Sequence, residues 1–236
     1  MTLEFILMAI FAYLLGSVPA AYLAAKWSRD IDLRKFGTGN VGGSNLIKAT
    51  SVKVAIPVFI YDFLKGAAPV LLAPAIGLEP YAQIAVGLCA VIGHNWPVFL
   101  GFQGGRGILT SEAVIFAISP LLGLIILITA YAFAPFKQVS LGVFFALLSL
   151  PLWSWFAAGW LDIEERLPIT LGFAVLSAIA FVRRLWVPRT PLSQSVNPAR
   201  LFINRLLLDR DIKDRKAWIN QRRAPRPENE RTENTV

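Results

Sequence analysis

Apolar runs of membrane length alternate with short polar loops along most of this chain. The first run, over 5–25, carries no charged residue, and others follow over 54–76, 81–99, 108–133, 141–160 and 169–186. Each comes close to the ~20 residues that a helix needs to cross about 30 Å of hydrocarbon. The pattern predicts an all-α, polytopic membrane protein, because a backbone in lipid must satisfy its own hydrogen bonds. Ser119-Pro120 falls inside the 108–133 run, and a proline after serine ends or redirects a helix. A turn there makes two short segments out of 108–136 and gives about seven in all.

The placement of charge orients these segments. Lys26 and Arg29 follow the first run and only Glu4 precedes it, which predicts an N-terminus outside and a cytoplasmic 26–53 loop. Of 23 Lys and Arg, 13 lie at or after Arg183. A single crossing at 108–133 would put that basic tail outside. A chain that turns back at Ser119-Pro120 instead puts the 104–106 turn, Lys137 and the C-terminus in the cytoplasm, with the acidic loop 162–166 outside. Trp153, Trp155, Trp160 and Trp186 fall near segment ends, where indole rings favour the interface. The expected organisation is a transmembrane domain over 1–188 and a basic cytoplasmic tail over 189–236. That tail would hold a short amphipathic helix over 197–219 and a disordered stretch over 224–236.

Composition narrows the chemistry. The chain is 56% hydrophobic and 16% charged, with a net charge of +8, against the ~25% charge usual for soluble domains. One cysteine excludes a disulfide scaffold. One cysteine and one histidine give a metal too few of its usual ligands, so neither a metal nor a cofactor is expected. The basic residues flank membrane segments instead of forming a soluble face, which argues against a nucleic-acid partner. There is no G-x-S-x-G hydrolase elbow, no dinucleotide fingerprint after a strand, and no H-x4-D acyltransferase box.

Two glycine-rich turns carry the strongest local signals. Gly37-Thr38-Gly39-Asn40-Val41-Gly42-Gly43-Ser44-Asn45 leads to Lys48. Backbone N–H groups freed by the glycines, with hydroxyl and amide donors beside them, suit a phosphate. A flexible interhelical loop would also have this composition. Gly104-Gly105-Arg106-Gly107 then opens a helical segment on the same predicted side, where an anion would meet free N–H groups and a guanidinium. Two such turns on one face suggest two phosphates or two walls of one site. Within the spans, Asp62 and Lys65 share a helix face and are expected to pair. His94 fits either a general base or a satisfied buried imidazole. Glu112 lies where it would pair with Arg106, and Cys89 reads as packing.

With these residues in place, the chain resembles the bacterial acyl-phosphate-dependent glycerol-3-phosphate acyltransferases, the PlsY family. The resemblance rests on FAYLLGSVPAAYLAAK, DLRKFGTGNVGGSNLIKA, YDFLKG, GHNWPVFLGFQGGRG and KQVSLG, in order from residue 11 to 142. It implies a seven-helix enzyme of the bacterial plasma membrane. The implied reaction transfers a fatty acyl group from acyl phosphate to the 1-hydroxyl of glycerol 3-phosphate, giving lysophosphatidic acid and phosphate for phospholipid synthesis. It also implies site roles for Thr38, Lys48, Arg106, His94 and Ser140. Gly37, Gly39, Asn40, Gly42 and Asn45 would then face glycerol 3-phosphate, and Gly104, Gly105 and Gly107 the acyl phosphate. His94 and Ser140 would serve the architecture. The chain departs from the family pattern with Thr38 for Ser, Lys48 for Arg and Arg106 for Lys. In the C-terminal motif, Arg200, Ile203, Arg205 and Leu206 match, whereas Ala199, Phe202, Asp209 and Asp211 replace His, Asn, Gly and Glu. Those departures leave room for a non-catalytic paralogue that binds lipid precursors. The intramembrane Asp62 and Lys65 and the broken helices leave room for a small transporter, although no internal repeat is visible.

Overall fold

The structure is a computed structural model describing residues 2–220, and every element among them is helical. The disorder expected over 224–236 lies outside the described residues. In chain order the helices are α1 (Leu3–Ser17), α2 (Ala20–Arg29), α3 (Gly43–Ala49), α4 (Val52–Leu72), α5 (Pro80–Asn95), α6 (Ile108–Ile118), α7 (Pro120–Tyr131), α8 (Val139–Phe156), α9 (Arg166–Leu185), α10 (Pro198–Leu208) and α11 (Arg215–Asn220). Five helical stretches are long and apolar enough to cross a membrane: Leu3–Arg29, Val52–Ile76, Pro80–Leu100, Val139–Phe156 and Arg166–Leu185. The short apolar pair α6 and α7 lies between them.

Two breaks in these helices carry the architecture. The first run, read as one uninterrupted segment, is divided at Val18-Pro19, because the proline ring cannot continue the helix across the preceding turn. The break leaves the Val18 carbonyl without a helical partner, and the buried Lys65 ammonium donates to it at 3.3 Å. The other break is at Ser119, as the sequence indicates. Ser119 is extended, its Oγ accepts from the Leu122 N–H at 3.3 Å to start α7, and it donates to the Leu161 carbonyl at 2.9 Å. The hydroxyl thus ties the break to the chain beyond α8.

The bundle is arranged for a lipid solvent. On α4, Ile56, Ile60 and Leu64 are exposed on one face, whereas Asp62 and Lys65 are buried on the other. The carboxylate and ammonium pair at 2.8 Å, which offsets the several kcal/mol an unpaired charge would cost there. Gly16 of α1 faces the Ala90 carbonyl of α5, and Gly93 of α5 faces the Tyr13 carbonyl of α1, so these helices cross in backbone contact. A core around Phe173, Leu122, Ile115 and Leu150 joins α6, α7, α8 and α9. The amphipathic stretch over 197–219 is not one helix. It ends at Asp209, whose left-handed backbone (φ 50°) closes α10, and resumes as α11.

Candidate active site

The first glycine loop is shaped from within. Asn45 is buried, and its Nδ2 donates to the carbonyls of Leu33, Phe36 and Asn40 at 3.3, 3.0 and 3.0 Å, while its Oδ1 accepts from the Thr38 N–H at 3.4 Å. One amide therefore gathers the loop into a fixed bend. Gly39 has φ 74°, a conformation that L side chains avoid. Thr38, Gly39 and Asn40 are left half-buried on the inner side of the bend. Gly37 is covered by the Ile219 carbonyl of α11, and Gly42 caps α3. Lys48, in the last turn of α3, is exposed beside α11. Partial loss of solvent, and after it the Arg215 charge, lower its pKa.

The second loop is clamped by an arginine that sequence reasoning counted only as a tail charge. Arg183, in the last turn of α9, is 9% exposed. Its Nε donates to the carbonyls of Asn95 (3.2 Å) and Gly105 (3.0 Å), its Nη2 to Gly104 (2.8 Å) and its Nη1 to Trp186 (3.0 Å). Four carbonyls on one guanidinium fix the 104–105 backbone to the ends of α5 and α9. Gly105 must lack a side chain, since a Cβ there would meet the His94 ring. Gly107 caps α6.

Arg106 emerges from this clamp. Its Nη1 donates to the Arg183 carbonyl at 2.8 Å, and its Nε lies 2.7 Å from Asp209 Oδ1. The expected pairing with Glu112 does not form. Glu112 is buried one turn into α6 and its Oε1 has no hydrogen-bond partner among the described residues, because Arg106 extends toward α9 and α10 instead.

A cavity of about 480 Å³ lies between the two loops. Thr38, Gly39 and Asn40 form one wall and Gln103, Gly104 and Arg106 the other. Trp96, Phe102, Trp186, Val187 and Pro188 add apolar surface. Arg34 also lines it, held by Asp32 at 2.8 Å, and that guanidinium keeps the Asp32 carboxyl below its usual range. Arg34 is absent from the sequence-predicted site, although its place four residues before Thr38 is a signal that could have found it. His94 stands apart from this cavity, in a small cleft with Asp62 and Lys65. Its Nδ1 is 3.4 Å from Thr110 Oγ1 and 3.7 Å from Asp62 Oδ1. Ser140 begins α8, and its carbonyl accepts from Arg184 Nη2 at 3.1 Å. The cavity thus brings together Thr38, Gly39, Asn40, Gly104 and Arg106, while Gly37, Gly42, Asn45, Lys48, His94, Gly105, Gly107 and Ser140 stand outside its lining.

Known proteins resemble this chain in both sequence and fold. The family model for glycerol-3-phosphate acyltransferases matches residues 6–187. Glycerol-3-phosphate acyltransferase 5 of Dehalococcoides mccartyi is 46% identical over 228 residues, covering 97% of this chain and 98% of that one. The crystal structure of PlsY (YgiH), an integral membrane glycerol 3-phosphate acyltransferase, in its glycerol 3-phosphate form, superposes with a TM-score of 0.69 at 35% identity. It covers 77% of this chain and 88% of that chain. The lysophosphatidic acid form of PlsY gives a TM-score of 0.66 at 33% identity, covering 76% and 87%. The chain belongs to the glycerol-3-phosphate acyltransferase family.

Proposed function

We propose that this glycerol-3-phosphate acyltransferase takes its fatty acyl group from acyl phosphate and delivers it to the 1-hydroxyl of the acceptor, in the plasma membrane of a bacterium. The observation that carries the reading is a cavity between the two glycine loops, lined by Arg34 and Arg106. Two phosphorylated substrates explain two such loops better than one does. The relatives matched over nearly the whole chain are named for glycerol 3-phosphate, and PlsY has been seen with that acceptor and with lysophosphatidic acid.

In this reading Thr38, Gly39 and Asn40 receive glycerol 3-phosphate, with Lys48 adding charge from the end of α3. Arg106 and Gly104 receive the acyl phosphate, and the apolar wall of Trp96, Phe102 and Trp186 leads its chain toward the bilayer. Asn45, Gly37 and Gly42 shape the first loop, Gly105 and Gly107 the second, and His94 and Ser140 the surrounding helices. The acyl phosphate is already activated, so the main task is to place the hydroxyl against the carbonyl carbon. Orientation of that kind contributes on the order of 7–11 kcal/mol. The hydroxyl proton leaves to a substrate phosphate, and the acyl–oxygen bond to phosphate breaks as the new ester forms.

The membrane arrangement that fits has seven segments, α6 and α7 forming the short pair, with the N-terminus outside. The domain over 1–188 then holds the cavity at its cytoplasmic end, and the segment over 189–220 lies on the cytoplasmic side. Labelling of single cysteines at Thr50, Gln103, Glu164 and Ser195 is expected to report only Glu164 outside. The test of function is purified protein given acyl phosphate and labelled glycerol 3-phosphate, with acyl-CoA and acyl carrier protein as competing donors. Lysophosphatidic acid and phosphate in equal amounts from acyl phosphate alone support the reading. Transfer only from a thioester donor, or from none, refutes it.

A further inference from the structure

The carboxylate of Asp209 pairs with Arg106, the arginine of the second loop, at 2.7 Å. We propose that Asp209 is a positioning residue for Arg106, fixing its guanidinium so that its free donors meet a substrate phosphate in the cavity. The inference rests on the functional reading above for the identity of that phosphate.

Arginine carries five N–H donors in one plane. The Asp209 carboxylate stands 2.7 Å from Nε as an ion-pair contact, and one N–H of Nη1 is donated to the Arg183 carbonyl at 2.8 Å. With the carboxylate beside Nε, the three remaining N–H groups of the two terminal nitrogens can grip a phosphate. Arg106 lines the cavity, and Asp209 is not among the lining residues. The ion pair is largely withdrawn from solvent, with side chains 14% and 23% exposed.

Asp209 is itself held firmly. Its N–H donates to the Arg205 carbonyl at the end of α10. Arg205 is buried, pairs with Asp211 at 2.7 Å, and donates to the carbonyls of Leu185 and Val187 at 3.0 and 2.6 Å. Arg184 reaches back from α9 to the Leu206 carbonyl at 2.7 Å. The end of α10 is thereby fastened to the end of α9, which also carries Arg183. A single rigid joint sets both contacts of Arg106, and ordering the side chain beforehand lowers the entropy lost on binding.

The test uses the full chain with Asp209→Gly and Asp209→Asn, each alone and combined with Arg106→Lys. Glycine suits the left-handed backbone at 209, so Asp209→Gly removes the carboxylate without straining the cap. Steady-state kinetics in both substrates, thermal stability in detergent and calorimetric binding of inorganic phosphate are recorded for all variants. The expected result is a rise of about fivefold in the KM for acyl phosphate with kcat little changed, matched by weaker phosphate binding, for both single variants. In the Arg106→Lys background the same changes at 209 have a much smaller effect, because a lysine ammonium is a rotatable point charge with no fixed plane for Asp209 to set. A fall in KM, which would make Asp209 a competitor of the phosphate, overturns the proposal. So does an unchanged KM, or a rise that is undiminished with Lys at 106. If the wild-type chain uses another donor, that failure appears in the control, and phosphate binding still decides the role of Asp209.

Discussion

Arg183 concentrates more of the site's geometry than any residue that lines it by motif. Its four acceptors are backbone carbonyls, so no other side chain need be present to recognise it. Arg183→Met is expected to lower kcat/KM by more than tenfold, since hydrogen bonds to a charged group contribute about 1.5–3 kcal/mol each and several are lost together. Arg183→Lys should recover little, because an ammonium cannot span the same fork. Steady-state kinetics beside a melting curve in detergent separates loss of the loop from loss of the fold. Lys48 gives a test with pH. Its folded pKa is lowered by lost solvent and by Arg215, so its charge disappears at a lower pH than that of an ordinary lysine. The alkaline fall of kcat/KM for glycerol 3-phosphate should begin correspondingly early, and Lys48→Arg should push it to higher pH. The glycines, Thr38 and Arg106 were legible because their spacing is local. Arg183 was not, because an arginine at the end of an apolar run looks the same whether it meets water or folds back onto a loop. Asp209 was hidden for a similar reason: it reaches Arg106 from more than a hundred residues away.

At the level of elements, hydropathy located every long helix and the Ser119-Pro120 break. The division at Val18-Pro19 was present in the same form, a proline in an apolar run. It was hidden by the continuity of the hydrophobicity on both sides, which keeps 3–29 membrane-compatible with or without a kink. What hydropathy could not supply was the use made of the break, the meeting of the Val18 carbonyl with Lys65. The end of the amphipathic stretch at Asp209 was likewise unreadable, because a non-glycine residue in the left-handed region carries no strong signal of its own. α10 and α11 now have a measurable role. Truncation before Pro198 removes the Arg205 joint, the Asp209 contact and the cover over Gly37. Activity should fall by more than tenfold, about 1.4 kcal/mol of transition-state stabilisation, in an in-vitro rate assay on membranes with matched protein levels. A truncated chain with full activity would remove α10 from the site.

For the molecule as a whole, the inverted distribution of polarity makes the site possible. Apolar side chains face outward along α1, α4 and α9, and the buried charges of α4 and α9 are spent on ion pairs and carbonyls that tie helix ends together. The two glycine loops, more than sixty residues apart, are thereby held as opposite walls of one cavity. The most direct measurement is two-substrate steady-state kinetics on Lys48→Ala and Arg106→Ala, with both proteins shown to be folded by melting in detergent. The account predicts that kcat/KM for glycerol 3-phosphate falls most in Lys48→Ala and kcat/KM for acyl phosphate falls most in Arg106→Ala. The loss should be at least about tenfold in Arg106→Ala, as expected when a charge-assisted phosphate contact is removed, and several-fold in Lys48→Ala, whose charge acts from outside the cavity lining. Near-normal kcat/KM for both substrates in either folded variant would contradict it.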